Sequence, residues 1–265
     1  MPKCEVYSTH IRLVYRYLPP IFASVSTLWP SNNMKRKRSG QAFWEQEYTK
    51  GGHLALSLNP SEDLEKFVRW LVREHGREHL NVTSAVLDLG CGNGRNIEWL
   101  SRSYGIHGTG YDISTEAIKS ASRRATQDNL PLTYVSRSIA GPINLPDESQ
   151  SLILDMMSSH FLNKEERTFL IQEIARVLRP GGFLFYKTFL LDEDRHAARM
   201  IAENPGEEAQ TYIHPKIGAA EYVSREEDVE AAYGPYFTIH KVLKSHRHKG
   251  AQAKRRSISV YLEKA

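Results

Sequence analysis

Apolar positions along this chain follow two periods, and the switches between them predict an alternation of helices and strands. Leu64, Phe67, Val68, Leu71 and Val72 recur at i, i+3, i+4, i+7 and i+8, the stripe of an amphipathic helix, with Gly76 as its stop. Before it, Phe43 to Tyr48 suits a short helix. Val86, Leu87 and Leu89 then form the compact apolar run of a buried parallel strand. A second strand is expected over Ile106 to Asp112, a helix capped by Ser114 running to about Asp128, and a third strand over Leu132 to Val135. Leu152 to Asp155 reads as a fourth strand. Asn163 with Glu166 makes a capping-box start for a helix striped by Leu170, Ile174, Val177 and Leu178. Arg179-Pro180-Gly181-Gly182 ends that helix and turns into a fifth strand, Phe183 to Tyr186. Ser224 with Glu227 predicts one more helix before Gly234-Pro235. Ile258, Val260 and Leu262 alternate with Ser257, Ser259 and Tyr261, a half-buried strand. Such an order implies an α/β fold with a mainly parallel sheet covered on both faces and a closing hairpin.

The chemistry concentrates after the first strand. Asp88-Leu89-Gly90-Cys91-Gly92-Asn93-Gly94-Arg95-Asn96 reads as strand end, glycine turn and helix start. Glycine lets the backbone turn tightly and lets a ligand approach it. The following helix directs free N–H groups and its positive dipole end at that ligand. The dinucleotide fingerprint G-x-G-x-x-G is not met, because Arg95 occupies its third glycine position. Asp112, at the end of the second strand, can accept from both ribose hydroxyls. The site therefore wants a ribose and has no signature for a pyrophosphate.

Val86 to Asn96, followed by Gly108-Thr109-Gly110-Tyr111-Asp112, resembles the first two motifs of the class I S-adenosylmethionine-dependent methyltransferases, in particular the GCGxGRN variant of tellurite-resistance-type members. Leu152 to Met157 and Arg176 to Leu184 resemble the same family's fourth strand and its turn into the fifth. The resemblance implies a Rossmann-like, doubly wound sheet with an antiparallel C-terminal hairpin and a lid insertion after the fifth strand. It implies S-adenosyl-L-methionine as cofactor, held by Asp88, Gly90, Cys91, Gly92, Asn93, Arg95 and Asn96, by Asp112 and Ile113, and by Asp155 and Met156. Trp44 and Tyr48 look like the segment that covers the cofactor in the family, although their i, i+4 spacing also suits core anchors. The family's adenine-binding aspartate is absent. Ser136-Arg137-Ser138-Ile139 stands there, with Ser138 and Ile139 as the expected substitutes.

Thr188 to Tyr222 is too long for a simple crossover and is expected as an acceptor lid. Methyl transfer needs an acceptor atom in line behind the methyl carbon and, for a protonated acceptor, a base. His160 after the fourth strand and His214 on the lid are the candidates, each readable also as a structural histidine. The patterns of nucleobase amino and cytosine-carbon methylation are absent, and no histidine spacing suggests a metal. Transfer to an O, N or S atom of a small-molecule acceptor is expected, the alternatives being an RNA or protein methyltransferase that uses the basic C-terminal hairpin, or an inactive cofactor-binding partner subunit.

Composition changes little. The 265 residues, 40% hydrophobic and 25% charged, suit one domain with a real core, and a net charge of +4 is too small to mark a nucleic-acid binder. Lys241, Lys244, Arg247, Lys249, Lys254, Arg255 and Arg256 do crowd the last hairpin. The readings are, in order, a solvated edge, a site for a small anion, and an RNA contact. Cys4 and Cys91 are too few for a disulfide framework, and no apolar run spans a bilayer, so a reducing, cytoplasmic setting is expected. Residues 1–40 lack any period and are expected as a flexible N-terminal extension, with Met34 as a possible natural start; the methyltransferase domain is expected over 41–265.

Overall fold

The computed structural model describes residues 40–51, 57–245 and 255–265 of the chain. Five strands run parallel: β1 (Ala85–Leu89), β2 (His107–Asp112), β3 (Leu132–Ser136), β4 (Gln150–Met156) and β5 (Leu178–Phe189). A separate ribbon of β6 (Thr211–Ile213) and β7 (Ala220–Tyr222) follows. β8 (Phe237–Lys244) and β9 (Ser257–Lys264) complete the main sheet as an antiparallel pair, giving the order β3-β2-β1-β4-β5-β9-β8. The helices are α1 (Gln41–Lys50), α2 (Glu62–His75), α3 (Arg95–Tyr104), α4 (Thr115–Gln127), α5 (Lys164–Val177), α6 (Arg195–Glu203) and α7 (Glu226–Tyr233).

The period of two explains why the central strands are mostly apolar on both faces, with Asp88 in β1 and Gln150, Ser151 and Asp155 in β4 as buried polar exceptions. Leu87, Leu89, Ile153 and Leu184 point to one face, where Leu170, Ile174 and Val177 of α5 and Val229 of α7 meet them. Val86, Leu152, Leu154, Phe183 and Phe185 point to the other, against Leu64, Phe67 and Leu71 of α2 and Ile97 and Leu100 of α3. Both faces are covered, so neither register of a central strand can be polar. Each such side chain stabilises the fold by about 1.5–3 kcal/mol when fully buried.

β1 pairs with β2 on one side and with β4 on the other. The strand order reverses there, and open α/β sheets bind ligands in the crevice beyond the carboxyl ends at such a point. The sequence motifs after β1, β2 and β4 therefore converge on one crevice.

Two expectations need correction. The capping box of α7 lies one residue later than the sequence suggested, with the Arg225 N–H donating to Asp228 Oδ2 at 2.8 Å. Ser224 is buried instead, its N–H donating to Phe189 O. The closing hairpin is also only partly a solvated edge. Arg256 turns inward, its Nη1 on Asp192 O at 2.8 Å and on Glu193, and its N–H on Asp194 Oδ2 at 2.8 Å. Arg255 reaches the lid. Both brace the insertion after β5, which has a small core of its own in Ala197, Met200, Tyr212 and Val223. Arg247, Lys249 and Lys254 lie outside the described residues, as do 1–39 of the expected extension.

Candidate active site

β1 delivers the chain to a turn in which Gly90, Gly92 and Gly94 have φ of +72°, +54° and +79°. L side chains rarely adopt that region, and here space forbids them as well. A Cβ on Gly90 would overlap Ser158 Cβ, and one on Gly92 would overlap Tyr48 Oη. The Gly90 and Cys91 N–H groups donate to Tyr111 O at 2.8 and 2.9 Å, which ties the turn to the end of β2. Asp112 adds a second tie. Its Oδ2 accepts from the Gly92 N–H and its Oδ1 from the Ser114 N–H, each at 2.8 Å. Burial pushes the Asp112 carboxyl up, and these two bonds oppose the push. Gly94 caps α3 without a side chain, so the first turn of that helix keeps backbone donors for a ligand.

Around this turn lies a cavity of about 1550 Å³. Typical ligand pockets occupy roughly 300–1,000 Å³, so this one has room for a nucleoside-sized ligand and an acceptor together. Gly90, Cys91, Gly92, Asn93, Arg95, Asn96, Asp112, Ile113, Ser138, Ile139 and Met156 all line it, with Trp44 and Tyr48 from α1. Asp88 and Asp155 are not on its wall. Both are buried behind it, each with one carboxylate oxygen lacking a partner. Burial raises both carboxyls, and the Asp112 charge helps push Asp88 up to about 7. Burial likewise holds the Cys91 thiol protonated. Ser138 Oγ accepts the Ala140 N–H at 3.1 Å and keeps a free lone pair.

A ribose-bearing ligand fits this set. The glycine cradle leaves no room for Cβ atoms, the Asp112 carboxylate stands at its rim, and the α3 start supplies donors. Among the described residues, no group of three or more His, Cys, Asp or Glu is placed to hold a metal.

α1 closes the crevice from above. The sequence pattern gave no sign of how it is held. Glu45 caps α4 from a distance: its carboxylate accepts from the Thr115 N–H at 2.8 Å, the Ser114 hydroxyl at 2.9 Å and the Glu116 N–H at 3.1 Å. Burial works against ionisation here, but those donors outweigh it and the carboxyl sits below its ordinary value. Gln41 Nε2 adds a bond to Ile113 O at 3.1 Å, and Trp44 meets Phe161 edge-on at 5.8 Å. Glu45→Ala is expected to lower the unfolding free energy by about 1 kcal/mol, the usual worth of a cap. Urea denaturation checks it, and an unchanged midpoint would show that α1 is held by other contacts.

The far end of the cavity is built from the turn after β4 and from the lid. His160, 2% exposed, lies in a short 3-10 turn (Ser159–Phe161) with its ring near those of Phe161 and Phe189. Burial lowers its pKa to about 4, so the imidazole is neutral at physiological pH. Its Nδ1 has no partner. His214 also lines the cavity, but its Nδ1 accepts the Lys216 and Ile217 N–H groups, both at 3.2 Å. A neutral His214 therefore carries its proton on Nε2 and stabilises the lid turn. Beside them, Glu221 on β7 accepts from Tyr212 Oη and from Arg255 Nη1. The Arg255 guanidinium carbon lies 3.1 Å from the centroid of Phe189. In the sequence Arg255 is one of the hairpin cations, and Glu221 carries no signal at all.

Fold and crevice together define a class I, Rossmann-like methyltransferase scaffold. Comparison with known proteins agrees: residues 86–182 match the family model of a methyltransferase domain. That stretch, from β1 to the turn within β5, is thus similar to a methyltransferase domain. A fatty-acid O-methyltransferase of Mycolicibacterium smegmatis is 25% identical over 66% of this chain and 57% of its own length. A phthiotriol/phenolphthiotriol dimycocerosates methyltransferase of Mycobacterium ulcerans is 32% identical over 43% of this chain and 44% of its own. The chain thus spans about half the length of these curated relatives. Among solved structures, the N-methyltransferase NodS of Bradyrhizobium japonicum, in complex with S-adenosyl-L-homocysteine, superposes with a TM-score of 0.60 at 17% identity, over 85% of this chain and 98% of that one. At that identity the likeness concerns the fold.

Proposed function

We propose that residues 41–265 act as an S-adenosyl-L-methionine-dependent methyltransferase on an O, N or S atom of a small molecule. The observation that carries this reading is the single cavity. Its wall runs from the glycine turn and Asp112 to the lid residues His214, Glu221 and Tyr222. A cofactor-binding subunit without activity would have no use for the space beside the lid. Small-molecule methylation is also what the names of the curated relatives describe.

When bound, S-adenosyl-L-methionine supplies a methyl group already activated by its sulfonium. The chain's own residues do the rest. Asp112 would accept from the ribose hydroxyls, Ile113 and Ile139 would hold the base, and Ser138 Oγ would accept from the adenine amino group. The backbone of Gly90 and Met156, with the α3 donors, would hold the methionine end. Tyr48 and Trp44 on α1 exclude water from above. The neutral His160 stands where a protonated acceptor would shed its proton. With a pKa near 4 it keeps its accepting lone pair above about pH 5 and loses it on acidification. No helix among the described residues is long and apolar enough to cross a membrane, and a cytoplasmic setting accords with the free, buried Cys91.

The test is transfer from methyl-labelled cofactor to a metabolite extract and to total RNA in parallel, with calorimetry of S-adenosylhomocysteine. Label entering the small-molecule fraction is expected. Label entering only RNA would overturn the acceptor class, and absent cofactor binding would overturn the enzyme.

A further inference from the structure

We propose that Glu221 is an acceptor-recognition residue, and that its carboxylate binds a protonated amine on the methyl acceptor. The inference rests on the methyl-transfer reading above and names its substrate class.

Glu221 uses only one of its two oxygens. A carboxylate can accept at both. Here Oε2 takes both bonds, from Tyr212 Oη and, at 2.7 Å, from Arg255 Nη1. Oε1 has no partner among the described residues, and it is not sealed from solvent. The side chain as a whole is only 3% exposed, and Glu221 lines the cavity, so the surface that Oε1 keeps opens there. A donor the size of a water molecule reaches it. β7, which carries Glu221, packs against the 3-10 turn of His160, so the open oxygen lies on the acceptor side, away from the glycine turn.

The open oxygen is fixed and charged. Burial pushes the Glu221 carboxyl up, but the Arg255 charge and the Tyr212 hydroxyl outweigh it and hold the group below its ordinary value. The group is therefore ionised at neutral pH. Tyr212 is buried, and Arg255 lies over Phe189, so both partners of Oε2 are themselves held. A carboxylate pre-organised in this way loses little entropy when a ligand arrives. An anionic oxygen makes its strongest hydrogen bond to a charged donor.

Charge along the wall points to the same ligand. Near the glycine turn the wall carries Arg95, Arg137 and Lys187 against Asp112. Near the lid the balance reverses: four more carboxylates, Glu165, Glu166, Glu207 and Glu208, join Glu221 against Lys164 and Arg255. Glu166 is engaged in the α5 capping box and Glu208 on Arg167. Glu165 and Glu207 are exposed and have no ion-pair partner among the described residues. Even with Arg255 set against Glu221, the lid side keeps an excess of negative charge, which draws in a cation.

The two observations together select a class. A carboxylate-bearing acceptor meets the negative excess and is repelled. An alcohol can donate to Oε1 but brings no charge. A protonated amine satisfies both. Its nitrogen has no lone pair while it is protonated, so it serves as an anchor, and the atom that accepts the methyl group lies elsewhere on the same molecule.

Three matched series test this, each an amine, its alcohol and its carboxylate: tyramine, tyrosol and 4-hydroxyphenylacetate; octylamine, octanol and octanoate; ethanolamine, ethylene glycol and glycolate. Each compound is added to the full chain with saturating S-adenosylhomocysteine, and binding is read by thermal shift and calorimetry. In at least one series the amine is expected to bind roughly tenfold or more tightly than the alcohol, with the carboxylate weakest. Glu221→Gln keeps an oxygen for Tyr212 and Arg255 but removes the charge. It is expected to erase the preference while S-adenosylhomocysteine affinity stays within about twofold of the unaltered protein's. That substitution leaves Arg255 without its counter-charge, so Glu221→Gln combined with Arg255→Gln, which leaves neither charge alone, is made beside it with the same expectation. Equal binding of amine and alcohol, tightest binding by the carboxylate, no response in any series, or an undiminished preference in the variants overturns the proposal. Should both variants fail to fold, the comparison within each series on the unaltered protein decides alone. Failure of S-adenosylhomocysteine to bind at all would instead sink the methyl-transfer reading, so the two failures are told apart.

Discussion

Gly90→Ala is expected to destabilise the protein by roughly 2–5 kcal/mol and to abolish measurable cofactor binding. Two costs add. At φ +72° an L side chain pays about 1–2 kcal/mol for the left-handed backbone alone. The new methyl also falls on Ser158 Cβ, and overpacking of this kind costs about 1–3 kcal/mol. Ser158 has no freedom to retreat, because its Oγ lies 2.7 Å from both Leu89 O and Asp155 Oδ1. Relief must come from the turn itself, which is the surface the cofactor needs. Gly76→Ala supplies the control. Its φ is +64°, but no atom lies within 4 Å of the added Cβ, so it pays for backbone only. Urea denaturation of both variants separates overlap from strain, and S-adenosylhomocysteine calorimetry reads the site. A Gly90→Ala protein that binds as tightly as the unaltered chain would show that the turn does not face the cofactor.

Much of the fold was legible because its signals are local. The turn after β1 needs glycine at fixed offsets, and central strands covered on both faces must be apolar. The capping box of α5 shows both its bonds, Glu166 N–H to Asn163 Oδ1 at 2.9 Å and Asn163 N–H to Glu166 Oε2 at 3.0 Å. What the sequence hid is what depends on distant partners. Glu45 lies 69 or more positions from the donors it caps, and its own neighbours say nothing of them. Asp88 and Asp155 sit in the right motifs, yet strand alternation turns them behind the wall they were expected to form. Arg255 stands in a run of cations that reads as solvated surface. Only the folded lid brings Glu221 and Phe189 to it.

Asp112→Ala should weaken S-adenosylhomocysteine by roughly 1–3 kcal/mol, about 5- to 150-fold, because buried ribose hydroxyls lose a charged acceptor. The structure adds a complication that decides how the experiment is done. The same carboxylate accepts from the Gly92 and Ser114 N–H groups, so its removal also loosens the glycine turn and the start of α4. Weaker binding alone would not separate a lost ribose contact from a disturbed cradle. A double cycle does. The ligand is varied too, by comparing S-adenosylhomocysteine with its 2′-deoxy and 3′-deoxy analogues on the unaltered protein and on Asp112→Ala. If the carboxylate holds a hydroxyl, removing that hydroxyl costs affinity in the unaltered protein and almost none in the variant, because the contact is already gone. If Asp112 only braces the turn, the two losses add. Non-additivity of about 1 kcal/mol or more for at least one hydroxyl is the expected result. Strict additivity for both would assign Asp112 to the scaffold and leave the ribose to be held by other groups on the cavity wall.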